Sequence, residues 1–283
     1  MEQGHDERGG QIGVGAALNR NGIQNMEPTS KNKVYFLSDM HLGARFVGDR
    51  RAHERRVVAM LDAMAKDAAH IYMLGDVLDY WFEYKTVVPR GYVRFFGALA
   101  RLADSGVKIT WLIGNHDIWL FDYLRNEIGM EIVDGALVRD IDGKRFYLAH
   151  GDNLGKQLTV GFRFIRSLFR NRVCQKLYSG IHPRWTVPFA MRWSKDSRSN
   201  NVRKYGSWRG DDAEPAMIFA REYLATVDDS INYFMLGHRH LFVRREVSPT
   251  STLVVLGDCY EHFTYAQWDG QKLEMKHFDI KDI

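Results

Sequence analysis

Six short apolar runs punctuate the chain, each closing in Gly or a polar cluster: KVYFLSDMH (33–41), HIYMLGD (70–76), KITWLIGNHD (108–117), RFYLAHGD (145–152), NYFMLGHRH (232–240) and TLVVLGD (252–258). Apolar runs of this length, bounded by Gly, Asp or Asn, predict buried strands that deliver polar residues at their C-terminal ends. Two longer stretches carry a helical period. RRAHERRVVAMLDAMAKDA (50–68) aligns Val57, Met60, Leu61 and Met64, and YVRFFGALARLADSG (92–106) aligns Phe95, Leu99 and Leu102, with Gly106 as its stop. Strand–helix–strand alternation argues an α/β fold. Asp142-Gly143 marks a hairpin turn between two runs, and the later segments add antiparallel strands. The expected architecture is a two-sheet sandwich flanked by helices.

Residues 153–215 break this rhythm. They are basic and aromatic, with helix-like pieces and no clear strand, which predicts an inserted helical cap over the strand ends. Within GFRFIRSLFRNRVCQKLYSGIHPRW (161–185), Phe162, Ile165, Phe169 and Val173 share one helical stripe, and Arg163, Arg166 and Arg170 a neighbouring one. Residues 160–210 hold twelve Lys/Arg against the single acid Asp196, a local charge of +11 in a chain of net +4. A segment this skewed implies an anionic partner: a phosphate-bearing substrate, an anionic membrane or a nucleic acid. The amphipathic pattern suits a membrane surface or an acyl-chain pocket. In RWSKDSRSNNVRK (192–204), Ser194, Arg198 and Lys204 are candidates to hydrogen-bond a sugar phosphate.

The chain has 283 residues, 45% apolar and 26% charged, ordinary for a globular domain. No run of eighteen apolar residues predicts a membrane span. Residues 1–30, rich in Gly, Asn and Gln and without a period, read as a disordered leader rather than a secretory signal, leaving 31–283 as the folded domain. Cys174 and Cys259 stand far apart, form no disulfide or zinc pattern, and are expected to be small buried apolar groups.

The chemistry lies in the strand ends. Asp39-x-His41, Gly75-Asp76-x-x-Asp79, Gly114-Asn115-His116-Asp117, His150-Gly151-Asp152 and Gly237-His238-x-His240 each follow an apolar run, and they hold five of the chain's eleven histidines. One such motif is more often a cap or turn. Five in series predict convergence, because ligands gather at the carboxyl ends of strands in α/β sheets. Carboxylate, amide and imidazole donors without a thiolate suit Mn²⁺, Fe²⁺ or Zn²⁺. Asp76 is the natural bridge between two cations, and Asp79 an orienting group. The glycines before Asp76, Asn115 and His238 are expected to let the backbone turn sharply. Trp81, Phe82 and Tyr84 are core or pocket-wall aromatics, and Asp152, next to His150, a substrate contact.

The series D-x-H, G-D-x-x-D, G-N-H-D, H-G-D and G-H-x-H over residues 39–240 resembles the calcineurin-like metallophosphoesterase superfamily. The resemblance implies that Asp39, His41, Asp76 and His240 hold one metal and Asp76, Asn115, His150 and His238 a second. It implies catalytic roles for His116, which contacts the phosphoryl group, and for its neighbour Asp117, with Asn115, His116 and Asp152 touching substrate. GDVLDYWFEY, HGDNLG, FRNRVCQKLY and RWSKDSR are further similar to the UDP-2,3-diacylglucosamine hydrolases of lipid A synthesis, which also carry a helical cap. That likeness implies two divalent cations, Mn²⁺ foremost, and water attack on the pyrophosphate to release UMP and 2,3-diacylglucosamine 1-phosphate. It also implies a cytoplasmic enzyme peripheral to the inner face of the inner membrane. The best-known members of that group carry Arg at the position of His116. A phosphoesterase acting on another nucleotide or a phospholipid head group stands as the alternative. A P-loop NTPase is disfavoured by the lack of GxxxxGK[ST], and a nucleic-acid-binding role by the lack of a recognition motif.

Overall fold

β1 (Lys33–Leu37) has four of its five residues buried, so its run reads as continuously apolar rather than alternating. The reason is that both of its faces are covered. Val34 and Phe36 look into the space between two sheets, and Tyr35 and Leu37 look outward onto helices. The computed structural model from which this is read describes residues 31–154, 160–188, 190 and 207–279. The expected leader, together with Ser194, Arg198 and Lys204, lies outside the described residues.

The remaining elements follow in chain order: α1 (Arg50–Met64), β2 (Ala68–Leu74), α2 (Val93–Asp104), β3 (Lys108–Leu112), α3 (Tyr123–Ile128), β4 (Glu131–Val133), β5 (Leu137–Ile141), β6 (Lys144–Ala149), α4 (Val160–Arg170), α5 (Arg172–Ser179), α6 (Pro215–Thr226), β7 (Tyr233–Leu236), β8 (Phe242–Ser248), β9 (Ser251–Leu256), β10 (Thr264–Trp268) and β11 (Leu273–His277). One sheet runs β11-β10-β1-β2-β3-β4 and the other β5-β6-β7-β9-β8. β1 to β4 run parallel in the first sheet, with antiparallel β10 and β11 at one edge, and β6-β7-β9 run parallel in the second, with antiparallel strands at both edges. This is the expected α/β sandwich. Phe36 stacks on both Tyr72 and Phe146, with ring centroids 5.4 Å apart in each pair, joining the sheets at the centre.

The two predicted helical stripes are the buried faces of α1 and α2. Asp49 caps α1 by accepting the N–H groups of Arg51 and Ala52, each at 2.9 Å. Glu54 on α1 accepts the N–H groups of Arg94 and Phe95, so one helix caps the other. Gly106 follows α2 at φ 84°, the left-handed conformation that ends helices. The helical period read as far as residue 68 stops earlier, because Ala68 already pairs with Lys33. The predicted hairpin joins β5 and β6, with Asp142 and Gly143 both at positive φ.

The basic insertion holds helices and no strand among its described residues. Asn171 separates α4 from α5, its carboxamide oxygen accepting from Val173 and Cys174 N–H. This overturns the single stripe expected through Phe169 and Val173. Phe169 packs on Trp119, whereas Val173 is exposed on the next helix. Phe82, Tyr84 and Trp119 join Tyr80, Phe169 and Tyr178 in the cluster that seats these helices on the loops after β2 and β3, while Trp81 lies in the main core. Trp119 Nε1 donates to Phe169 O at 2.9 Å, and the Tyr80 and Tyr178 hydroxyls lie 3.1 Å apart. Cys259 is buried as expected, whereas Cys174 is only half-buried.

Candidate metal centre

All five polar motifs meet at the carboxyl ends of β1, β2, β3, β6 and β7. Three overlapping groups have donor atoms within 4.8 Å of one another: Asp39, His41 and His240; His41, Asp76 and His116; Asp76, His150 and His238. Asp76 sits at the middle. Its Oδ2 lies 3.8 Å from His41 Nε2, 3.9 Å from His116 Nε2 and 3.3 Å from His150 Nε2. Asn115 joins them through Oδ1, 3.1 Å from His150 Nε2, and His238 Nδ1 lies 3.2 Å from that same nitrogen. On the other flank, Asp39 Oδ1 faces His240 Nε2 at 3.1 Å and His41 Nε2 at 3.6 Å.

The local backbone is bent to make this possible. Eight non-glycine residues among those described have positive φ, and five of them are Asp39, His41, Asp76, His238 and His240. Each such conformation costs about 1–3 kcal/mol and persists only where the surroundings impose it. The glycines have a partly different role from the expected one. Gly75 does turn, at φ 84°. Gly114 and Gly237 provide room: a Cβ on Gly114 would strike the Asp76 carboxylate, and one on Gly237 would strike Ser38 Oγ.

Hydrogen bonds fix which ring atom each histidine turns inward. His150 Nδ1 donates to Leu74 O at 2.8 Å and His116 Nδ1 to Asp79 O at 3.2 Å, leaving both Nε2 atoms for the centre. His41 Nδ1 lies 3.4 Å from Asp79 Oδ1. Asp39 Oδ2 accepts from Ser38 Oγ at 2.5 Å and from His238 N at 2.8 Å, and Asp76 Oδ1 accepts from His116 N at 2.8 Å.

Burial by itself would raise the pKa values of Asp39 and Asp76. The neighbouring imidazoles, His240 for the first and His150 for the second, outweigh it and hold both well below the usual carboxylate range. Burial opposes a charged His150, but the Asp76 carboxylate prevails and raises its pKa well above the ordinary value. Burial, reinforced by His150, pushes His238 down to about 4. Asp39 Oδ1 is buried and accepts no well-formed hydrogen bond. Ionised, buried carboxylates facing imidazole nitrogens across gaps of 3–4 Å form a donor set suited to borderline divalent cations.

Two predicted residues fall elsewhere. Asp117 is fully buried beneath the centre, where Oδ1 accepts from Gly114 N at 2.7 Å and Oδ2 from Val77 N at 2.9 Å and Trp111 Nε1 at 3.1 Å. One oxygen thus holds the loop that carries Asn115 and the other holds Val77, next to Asp76, and Trp111 on β3, so that it braces both loops from below. Asp152 is at the rim, half-buried, with its charge acting on His150 and His238. The sequence reading gave no role to Tyr260, whose hydroxyl lies 2.9 Å from His240 Nδ1, or to Arg239 as a brace. A lone tyrosine after a strand carries no spacing signal. The polar strand end two residues before it, Gly257-Asp258, does carry one.

The chain matches the family described as calcineurin-like phosphoesterase over residues 32–242. It is 39% identical to a UDP-2,3-diacylglucosamine hydrolase of Porphyromonas gingivalis, over 88% of this chain and 98% of that protein. It is 26% identical to a protein of the same name from Yersinia enterocolitica, over 86% of this chain and 98% of the other. Among solved structures, the phosphoesterase Yfce of E. coli aligns with TM-score 0.40 and 16% identity, covering 85% of this chain and 90% of that one. The chain belongs to the calcineurin-like phosphoesterase family.

Proposed function

We propose that this protein hydrolyses the pyrophosphate bond of UDP-2,3-diacylglucosamine to UMP and 2,3-diacylglucosamine 1-phosphate, a step of lipid A synthesis. As a member of a phosphoesterase family it is a hydrolase. The substrate is inferred from the near full-length match to relatives bearing that name. The observation that carries the chemistry is the position of Asp76, one carboxylate faced by histidines from both flanks.

In this reading Asp39, His41, Asp76 and His240 hold one divalent cation, and Asp76, Asn115, His150 and His238 hold the other. Mn²⁺ is the cation that the likeness to these hydrolases implies, and the mixed oxygen and nitrogen donors suit Fe²⁺ or Zn²⁺ as well. Bound there, the pair supplies Lewis acidity to the phosphoryl oxygens and lowers the pKa of water at neutral pH. Asn115 contributes an oxygen without adding negative charge where an anionic phosphate must approach. His116 is oriented by Asp79 O and is partly exposed, so its Nε2 is placed to stabilise phosphoryl charge or to protonate the leaving group. Asp152 contacts the substrate, and Ser194, Arg198 and Lys204 hydrogen-bond its sugar phosphate.

The helical insertion serves as the cap that receives acyl chains and rests on the anionic inner face of the inner membrane. Supporting this, Phe164, Leu177 and Trp185 are 67%, 70% and 70% exposed beside the basic residues Arg172, Lys176 and Arg184. Among the described residues no helix is long and apolar enough to cross a membrane. No nucleic-acid partner is expected.

The test offers purified protein with Mn²⁺ both UDP-2,3-diacylglucosamine and bis(p-nitrophenyl) phosphate. UMP release from the first, lost in Asp76→Ala, is the expected result, and turnover of the generic diester alone overturns the substrate. His116 in place of the Arg of the best-known hydrolases favours the second reading, a phosphoesterase acting on another nucleotide or phospholipid, which that overturning result would select.

A further inference from the structure

The sixth polar strand end, Gly257-Asp258 after β9, belongs to none of the three candidate metal groups. Asp258 is nonetheless buried. Its Oδ1 accepts the N–H groups of Tyr260 at 3.2 Å, Glu261 at 2.8 Å and His262 at 3.0 Å, and its Oδ2 lies 2.7 Å from His262 Nδ1. The loop is thus wound around one carboxylate. Cys259 pins it from both sides: its N–H donates to Asp39 O at 3.1 Å, and its carbonyl accepts from His53 Nε2 on α1 at 2.9 Å.

This pinned loop delivers Tyr260. The hydroxyl lies 2.9 Å from His240 Nδ1, and the ring packs edge-on against His41 and Phe46, with centroids 5.9 and 5.1 Å away. His240 Nε2, on the far side of its ring, faces Asp39 Oδ1 at 3.1 Å.

We propose that Tyr260 is a positioning residue that sets the tautomer and rotation of His240, and that the Asp258 loop exists to hold it there. The inference rests on the reading of His240 as a metal ligand. For Nε2 to present its lone pair to a cation held between it and Asp39, the ring proton must sit on Nδ1, where the Tyr260 oxygen can accept it. A partner fixed on Nδ1 holds the ring's rotation before any cation arrives, and it accepts the Nδ1 proton once a cation takes the place of the Nε2 contact to Asp39. The effect is one-sided. Tyr260 touches His240 and His41, both in the group of Asp39. The strand end without a ligand therefore serves one of the two metal positions.

The test is a calorimetric titration of the metal-free full-length protein with Mn²⁺, together with imidazole ¹⁵N spectra of the same samples before the metal is added. The native protein should bind two ions. Tyr260→Phe, which keeps the ring, should weaken one binding constant about 10- to 100-fold and leave the other unchanged. Its His240 ring ¹⁵N shifts, read before metal is added, should move from the native tautomer balance. Phe46→Leu trims the same aromatic wall without removing a hydrogen bond and should leave both constants within about twofold. Native binding by Tyr260→Phe, equal weakening of both sites, or an equal effect of Phe46→Leu would overturn the inference. Absence of Mn²⁺ binding by the native protein would instead overturn the metal reading beneath it.

Discussion

Arg239 and Glu214 form a two-point ion pair, with Nε 3.0 Å from one carboxylate oxygen and Nη2 3.1 Å from the other. Arg239 stands between the candidate ligands His238 and His240, and Glu214, fully buried, precedes α6 at the end of the basic insertion. The pair ties the histidine loop to the segment that returns from the insertion. Removing one partner of a buried pair strands the other's charge and costs about 3–5 kcal/mol. Glu214→Gln should therefore destabilise the protein by roughly that much and weaken Mn²⁺ binding with it. Arg239→Met combined with Glu214→Leu should recover most of the stability. Urea denaturation of the native protein, Arg239→Met, Glu214→Leu and the double variant checks this, and simple additivity of the two single changes would contradict it.

Gly114 packs against Asp76 so closely that a methyl group has no space. Gly114→Ala changes no ligand, yet it must displace the Asp76 carboxylate, the group shared by both flanks. Activity should fall at least about 100-fold, since displacement of a reacting geometry by about 1 Å costs that much. The expected companion is a loss of Mn²⁺ affinity at both positions, read by titration. A Gly114→Ala protein with native affinity for both ions would show that Asp76 has room to move.

Much of this was legible in the sequence, for a physical reason. Buried parallel strands must be apolar throughout, so an Asp, Asn or His at their ends stands out, and Asp39, Asp76, Asn115, His150 and His238 all announced themselves in this way. The α1 and α2 stripes were equally plain, because a single face of each helix is buried. What stayed hidden depends on partners distant in the chain. Asp117 reads as part of a catalytic string until its oxygens are seen to hold Val77, Trp111 and Gly114. Arg239 reads as a spacer until Glu214 is opposite it, 25 residues away in the chain. The break at Asn171 is a local capping event that the continuous apolar spacing concealed.

The bracing role of Asp117 has a distinct signature. Burial, reinforced by the charge of Asp76, raises its pKa to about 6. Asn in its place offers one acceptor and an NH₂ group to three N–H donors. Asp117→Asn should cost about 1–3 kcal/mol for each donor left unsatisfied. The rate should fall as the Asn115 loop loosens, while the shape of the pH–rate profile is retained. If Asp117 instead exchanged protons with substrate, the variant would keep its stability and lose one limb of the profile. Denaturation and a pH–rate series on the same protein decide between them.

His70 links stability to pH far from the metal centre. It lies near the start of β2, stacked on Tyr72 at 3.9 Å, with Nε2 2.8 Å from Thr110 Oγ1. Burial, with Lys108 nearby, lowers its pKa from 6.5 to about 4. The folded state thus holds His70 neutral, and the unfolded chain takes up a proton first on acidification. The stability from this residue is complete above pH 6.5 and is lost as pH falls toward 4. Between pH 7.5 and 5 the loss should come to about 2 kcal/mol. His70→Gln keeps a bond to Thr110 but has no proton to take up. The native protein should lose about 2 kcal/mol more than this variant over that interval. Because the histidines of the metal centre are common to both proteins, their titration cancels in the difference. Parallel curves for the two in urea denaturation would show that His70 is solvated enough to titrate normally in the folded state.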